Sequence, residues 1–202
     1  MQVSNSSDGE AVTDLVSKIR EKLAEAPGRP SQSGPPQAAL YAPLSSQELV
    51  LEESRLGFVL PPLLRLLYTQ IGNGGFGPGA GLLSLKQMSE RIDQTVATLY
   101  HQLRASRAKR GAKWQEGIVP FAQWGDFVFS CLDLSDADRN NDPPIVRFEP
   151  NMPETTTYTY LRGDSFRGAG LIPERNRLST WFEDWISNRE MFRRPYAIDN
   201  DD

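Results

Sequence analysis

The spacing of apolar residues predicts helices mainly in the first half of the chain. Apolar residues recur at three- and four-residue intervals over residues 11–26, 45–55 and 61–71. This period places an apolar stripe along one face of a helix. The same spacing predicts helices over residues 86–106 and 178–192.

Short apolar runs predict strands between the last two helices. The predicted strands are residues 82–85, 118–121, 127–134, 145–148 and 155–161. The third of them is apolar at both odd and even positions, which indicates a strand buried on both faces. Because no strand–helix–strand alternation is sustained, the pattern favours an α+β fold with a mostly antiparallel sheet flanked by helices.

Local signals predict where several helices begin and end. Ser45 and Glu48 stand three residues apart and predict a capping box. Pro61 and Pro62 suit the first turn of the next helix, and Gly72 is predicted to end that helix as a left-handed cap. A structural loop with positive φ at several positions is then predicted; its residues are Gly72, Asn73, Gly74, Gly75, Phe76, Gly77 and Pro78.

Composition divides the chain into three parts. Residues 1–43 are predicted to form an N-terminal helix and a Pro-rich linker, because prolines interrupt Gly, Ser and Gln from residue 27 onwards. Residues 44–192 are predicted to form the main domain, and residues 193–202 an acidic tail. The apolar stripe of the first helix needs a partner, which is either its own domain or another protein.

The net charge and the cysteine content limit the expected partners and cellular compartment of the protein. The 202 residues carry a formal charge of −4 and a single cysteine, Cys131. A mildly acidic chain has no electrostatic attraction to nucleic acid or anionic lipid, and one cysteine fits a reducing compartment. Since no apolar run is long enough to span a bilayer and the N-terminus lacks a signal pattern, we expect a cytoplasmic protein with no membrane or nucleic-acid partner.

Two sequence blocks carry a family resemblance. Residues 56–62 read Leu-Gly-Phe-Val-Leu-Pro-Pro and lead through a helix to the Gly-rich loop, while residues 124–133 begin Trp-Gly-Asp and continue as a strand. With Val-Arg-Phe-Glu-Pro at 146–150 and a last helix containing Trp181 and Trp185, this order resembles the SUKH (Smi/Knr) superfamily over about residues 43–192. Many bacterial members have Gly-Cys where this chain has Gly-Asp.

The resemblance implies a helix-flanked sheet that binds proteins. Bacterial members of the superfamily are commonly immunity proteins that neutralise a toxin, often a nuclease, and fungal relatives regulate cell-wall assembly. By this resemblance the chain is expected to be a binding module and not an enzyme. An intracellular regulator or scaffold that works through residues 1–43 is the alternative.

Patterns for cofactors, metals and catalysis are weak. The glycines Gly72, Gly74 and Gly77 match the spacing of a dinucleotide fingerprint, but a helix precedes them and Pro78 follows. Residues 136–147 resemble a calcium loop without its essential Gly and Glu. His101 and Cys131 are the only pair that could make a thiol nucleophile and its base. We therefore expect no cofactor, no metal and no catalytic residue.

The candidate partner-binding surface is an aromatic residue with an acidic rim. Such a surface suits a basic protein partner, possibly a toxin domain, because charge steers encounter and a buried aromatic holds the complex. The predicted residues are Trp124, Asp126, Asp133, Asp136, Asp138 and Asp142. The alternative is that Trp124 belongs to the core and the acidic residues only keep a loop soluble. The basic segment over 104–113 is interpreted as a helix C-terminus whose cations complement the helix dipole.

Overall fold

A computed structural model describes residues 5–25, 41–87, 94–109, 114–125, 127–135, 141–150, 157–159, 165–167 and 170–191. The helices are α1 (Asn5–Glu25), α2 (Ser46–Leu56), α3 (Pro62–Gln70), α4 (Val96–Lys109) and α5 (Leu178–Ile186). The strands are β1 (Gly81–Leu82), β2 (Ile118–Gly125), β3 (Val128–Asp133), β4 (Ile145–Phe148), β5 (Thr157–Thr159), β6 (Ser165–Arg167) and β7 (Leu171–Arg175).

The main sheet has five strands in the order β1-β2-β3-β4-β7, and each neighbouring pair is antiparallel. Strands β5 and β6 form a separate antiparallel pair. The prediction of an α+β fold with a mostly antiparallel sheet is confirmed.

Strands β6 and β7 were not predicted. In β7, Pro173 interrupts the apolar pattern, and proline is tolerated there because β7 lies at the edge of the sheet.

The central strand β3 is buried on both of its faces, as its sequence predicts. Phe129 and Cys131 point to one face and Ser130 and Leu132 to the other, and each of these residues is at most 1% exposed. A strand buried in this way fixes its register strongly, because a slip of one residue would exchange every side chain between the two faces.

The predicted capping box at the start of α2 is present. Ser45 Oγ accepts from the Glu48 backbone N–H at 3.3 Å, and the Ser45 backbone N–H donates to Glu48 Oε2 at 2.8 Å. Lys86 Nζ donates to Glu48 Oε1 at 2.6 Å, and together these donors lower the pKa of Glu48 to about 2. Gly57 ends the helix in the left-handed conformation, with φ of 87°.

The prediction that Gly72 is a left-handed cap is wrong. The residue after α3 is Ile71, whose backbone is right-handed with φ of −110°, and Gly72 is not among the residues with positive φ. The backbone N–H groups of Ile71 and Gly72 both donate to the Leu67 carbonyl oxygen. The chain therefore leaves α3 through a right-handed turn, and the left-handed residues come later.

The Gly-rich loop joins α3 to β1 and is held by a buried asparagine. Asn73 Oδ1 accepts from the backbone N–H groups of Leu85 (2.9 Å) and Lys86 (3.1 Å), and its Nδ2 donates to the Lys86 carbonyl at 2.7 Å. The prediction of several positive φ angles in this loop is confirmed at Gly74, Gly75 and Gly77. These hydrogen bonds hold the loop against the residues that follow β1, and its assignment as a purely structural loop stays a prediction.

Helix α1 docks on its own domain. Leu15, Val16 and Ile19 are buried, and the helix contacts α3 and α5. Lys22 Nζ donates to the Ile186 carbonyl at 2.9 Å and to Asn188 Oδ1 at 2.8 Å. The apolar stripe of this helix is therefore used inside the domain.

Replacing Lys22 with alanine is expected to lower the free energy of unfolding by about 1 kcal/mol, because two hydrogen bonds between α1 and the end of α5 are lost. Lys18→Ala is the matched control, since the salt bridge of Lys18 is with Asp14 one turn earlier on the same helix and its side chain is 57% exposed. Urea unfolding followed by circular dichroism measures both. Equal effects of the two substitutions would contradict the docking contact.

Much of the predicted three-part division lies outside the described residues, because most of the predicted linker (residues 26–40) and the predicted tail (residues 193–202) are not described. The three-part division stays a prediction. Within the described part of the chain, none of the helices combines the length and the apolar character that crossing a membrane requires.

Candidate functional site

The hairpin that joins β2 to β3 presents an exposed aromatic ring. Gly125 pairs with Val128 at the end of this hairpin, and Phe127 between them is 70% exposed. Phe127 has φ of 63°, a left-handed conformation that costs a residue with a side chain of this kind about 1–3 kcal/mol. We call Trp124, Gly125, Phe127 and Val128 the hairpin tip.

The hairpin tip rests on a chain of buried polar contacts. Trp124 is half-buried, and its Nε1 donates to Ser130 Oγ at 2.8 Å. The Ser130 hydroxyl in turn donates to Glu174 Oε2 at 2.7 Å. Trp181 Nε1 donates to the other carboxylate oxygen, Oε1, at 3.1 Å. We call Trp124, Ser130, Glu174 and Trp181 the buried network.

The network ties together β2, β3, β7 and α5, which are distant in sequence. Because Ser130 and Glu174 are buried, each of their hydrogen bonds is costly to break. The Trp124 and Trp181 rings also contact each other edge to face, with centroids 6.5 Å apart. The base of the hairpin tip is therefore fixed in position, and an exposed ring above it is presented in a defined place.

Burial determines the protonation of Glu174. Removal from water raises the pKa of its carboxyl group, and the hydrogen bond from Ser130, the positive charge of Arg147 and the hydrogen bond from Trp181 oppose that rise without cancelling it. The folded state therefore binds the proton more tightly than the unfolded chain does.

Glu174→Gln tests this protonation. A carboxyl group with a raised folded pKa stabilises the fold fully below its ordinary pKa, about 4.3, and this contribution is lost as the pH rises through the folded value. Wild-type stability should therefore fall, relative to the Gln variant, as the pH increases from about 4.3 towards neutrality. The measurement is urea unfolding of both proteins across that pH range. A constant difference between them would contradict the raised pKa.

Two of the predicted acidic residues lie at the other end of the same strand pair. Asp133 pairs with Ile118 at one end of the strand pair, and Val128 lies at the other end. Asp133 is five residues from Val128 along β3, a distance of about 17 Å. The backbone N–H of Asp133 donates to the Pro144 carbonyl, which places the start of β4 and nearby Asp142 at that end too. The structure therefore does not bring Asp133 and Asp142 together with Trp124.

Both of these acidic residues have local structural contacts. Asp133 Oδ1 accepts from the backbone N–H of Ser135 at 3.1 Å and from its hydroxyl. Asp142 accepts from the backbone N–H (2.8 Å) and Oγ (2.7 Å) of Ser179 in the first turn of α5. Asp126, Asp136 and Asp138 lie outside the described residues, and a partner-binding role for the predicted set stays a prediction.

Sequence reasoning missed Phe127 and Glu174. Phe127 follows Gly125-Asp126, a pair typical of a turn, which could have indicated that the phenyl ring leaves the strand pattern. No local signal identifies Glu174, because its partners are 44 residues (Ser130) and 7 residues (Trp181) away.

The residues considered for catalysis and for cofactor binding are buried or do not have the arrangement that the chemistry needs. Cys131 is completely buried, and burial, followed by the negative charge of Glu174, raises the pKa of its thiol. His101 lies exposed on α4, where its Nε2 is 3.1 Å from the Arg55 carbonyl oxygen. The Gly-rich loop runs from a helix to a strand, the reverse of a dinucleotide site. In the part of the chain that the structure describes, no cluster of three or more His, Cys, Asp or Glu could hold a metal.

Comparison with known proteins gives one informative finding. The sequence model of the SMI1 / KNR4 family (SUKH-1) matches residues 43–168, which is more than half of the chain. The match includes α2, the Gly-rich loop, the hairpin tip and β4. No curated protein matches the chain.

Proposed function

This chain belongs to the SMI1 / KNR4 family (SUKH-1), and from that premise we propose that it is a protein-binding module that performs no catalysis. Its partner binds at the hairpin tip, and its action is steric: it covers a surface that the partner needs. The proposal refines the surface predicted from the sequence, because it keeps Trp124 and places Phe127 at the centre.

The observation that carries this proposal is the exposed phenyl ring of Phe127. A left-handed backbone opposes folding stability, and a large apolar side chain that stays exposed contributes no burial energy to offset that cost. Their combination above a rigid buried network fits a residue that is retained for contact with another molecule. Aromatic side chains that fill a pocket on a partner commonly carry a large share of the binding energy.

The non-catalytic part of the proposal is supported by the states of the reactive groups. The Cys131 thiol is kept protonated by burial, and a protonated thiol is a poor nucleophile. The Glu174 carboxyl group is also buried, with both oxygens hydrogen-bonded to the fold. These contacts explain the two groups as parts of the core.

The partner class that we propose is a basic toxin domain. The chain carries a formal charge of −4, which attracts a cationic surface and raises the rate of encounter. In this proposal the protein works in the cytoplasm as an immunity protein, and the toxin is encoded beside its gene.

Co-expression with the toxin-like product of a neighbouring gene tests this function. Wild-type protein should restore growth, and Phe127→Asn should lose protection while keeping its stability, because Asn tolerates the left-handed conformation. Val59→Ser is the matched control, since Val59 is similarly exposed (67%) on another surface. Failure of the wild-type protein to protect would contradict toxin neutralisation. Protection by Phe127→Asn equal to wild type would contradict the role of the hairpin tip.

The alternative of a scaffold acting through residues 1–43 loses part of its basis. Its support was the Pro-rich linker together with the first helix, and Leu15, Val16 and Ile19 of that helix are buried in the domain. We therefore place the binding function on the hairpin tip and not on α1.

A further inference from the structure

A second surface combines exposed apolar side chains with a groove. The groove has a volume of about 320 Å³ and lies on α2 and the turn that follows it. Its lining residues are Val50, Glu53, Ser54, Gly57, Phe58 and Val59. Val50 and Val59 of this lining, and Leu51 next to Val50 on α2, are each more than half exposed, and of the described residues only Phe127 is another large apolar side chain exposed to this degree. A concentration of exposed apolar groups marks an interaction site.

The acidic residues of α2 do not give this groove a negative edge. Glu53 is buried, accepts from the Leu60 backbone N–H at 2.9 Å and pairs with Arg65 at 3.2 Å. Glu52 is also buried and pairs with Arg55 at 2.7 Å. The carboxylates face inwards, while the side chains of Arg55 and Arg65 stay 58% and 42% exposed.

Helix α4 adds a third cation next to the groove. Phe58, which lines the groove, contacts the Tyr100 ring edge to face at 5.7 Å. The guanidinium of exposed Arg104 lies 5.5 Å from the centre of that Tyr100 ring. Among the described residues around this groove, the exposed charged groups are therefore the guanidinium groups of Arg55, Arg65 and Arg104, and the first two of these also pair with buried carboxylates.

We propose that this groove binds an acidic segment of a partner protein that carries apolar anchor residues. The anchors would cover Val50, Leu51 and Val59, and the carboxylates of the segment would pair with the three arginines. Arginine is well suited to this role because its planar fork binds a carboxylate through two parallel hydrogen bonds. This surface is separate from the hairpin tip and selects the opposite sign of charge.

The geometry favours a peptide over RNA or a membrane. The exposed side chains are aliphatic, and the aromatic ring of the groove, Phe58, is half-buried against Tyr100, so the described residues here offer no open ring on which a base could stack. Binding to a membrane surface uses one broad apolar helix face, whereas the exposed apolar side chains here are shared between α2 and the turn that follows it, around a shallow groove.

Selection from a random peptide library displayed on phage, with the full chain as bait, tests the proposal. Enriched peptides should be negatively charged and contain large apolar residues. Their synthetic forms should bind the double variant Leu51→Ser, Val59→Ser at least about tenfold more weakly, and should bind Arg104→Ala more weakly than wild type at low salt. Phe127→Asn is the matched control and should bind them as wild type does.

Several results would overturn the proposal. These are the absence of enrichment, a neutral or basic consensus, or peptides that bind the double variant as tightly as wild type. A single-stranded RNA oligonucleotide and vesicles containing phosphatidylserine are measured in parallel, and binding of either that depends on Leu51 and Val59 would assign the surface to that ligand instead. Since Phe127→Asn leaves this surface intact, failure here and failure of the proposed function are distinguishable.

Discussion

Replacing Trp181 with alanine is expected to lower the free energy of unfolding by about 3–5 kcal/mol. Its side chain is fully buried and contacts the rings of Phe121 (5.0 Å) and Phe182 (5.0 Å) edge to face. Its removal leaves a cavity between α5 and the sheet, and it also removes the hydrogen bond from Nε1 to Glu174. Equilibrium unfolding in guanidinium chloride, followed by circular dichroism, measures the loss.

Trp181→Phe separates the packing contribution from the hydrogen bond. The phenyl ring fills most of the space, but it has no N–H for the buried Glu174 oxygen, so a smaller loss of about 1–3 kcal/mol is expected. Because that oxygen loses this donor, the pKa of Glu174 should rise further. A Phe variant as stable as wild type at neutral pH would contradict the structural importance of the buried network.

Replacing Gly74 with alanine is expected to destabilise the protein by about 2–5 kcal/mol. Gly74 has φ of 87°, and a Cβ atom there would lie 2.8 Å from the Leu82 carbonyl oxygen and 2.9 Å from the Leu83 carbonyl carbon. Both contacts are with backbone atoms, so the loop would have to separate from the start of the sheet. Thermal and urea unfolding measure the effect.

Gly57→Ala is the matched control for this substitution. Gly57 has the same φ of 87°, but a Cβ atom there would meet nothing within 4 Å. Only the cost of the left-handed conformation applies, about 1–2 kcal/mol. If the two alanine variants lost the same stability, the close approach of the Gly74 loop to β1 would be contradicted.

Short-range signals accounted for much of the fold. The capping box at Ser45 and Glu48 depends on residues three apart, and the doubly buried strand β3 follows from its own composition. The Gly-rich loop was predicted for the same reason, because φ angles of this kind favour glycine at each position independently. The left-handed cap predicted at Gly72 was the exception. Either a right-handed or a left-handed turn can follow a helix, and the local sequence did not decide between them.

The candidate site was less predictable because it depends on register. Trp124 and Asp133 are close in sequence and belong to one hairpin, but the pairing of Gly125 with Val128 puts them at opposite ends of it. Glu174 reaches Ser130 only because β7 joins the far edge of the same sheet through β4. Strand order and register are set by long-range contacts that a single sequence does not display.

The docking of α1 on its own domain could also not be predicted from local sequence signals. Its apolar stripe predicted a buried face but could not identify what covers that face. The hydrogen bond from Lys22 to the Ile186 carbonyl joins residues 164 positions apart. Such a contact follows from the arrangement of α1 against α5 and not from either helix alone.

Calorimetric titration of the purified toxin domain proposed as the partner with wild-type protein, Phe127→Asn and Val59→Ser tests the central claim most directly. If the hairpin tip holds the partner, Phe127→Asn should bind more weakly by about 2 kcal/mol, roughly thirtyfold, while Val59→Ser keeps the wild-type affinity. Equal affinity of Phe127→Asn and wild type would contradict the claim that this exposed ring carries the interaction.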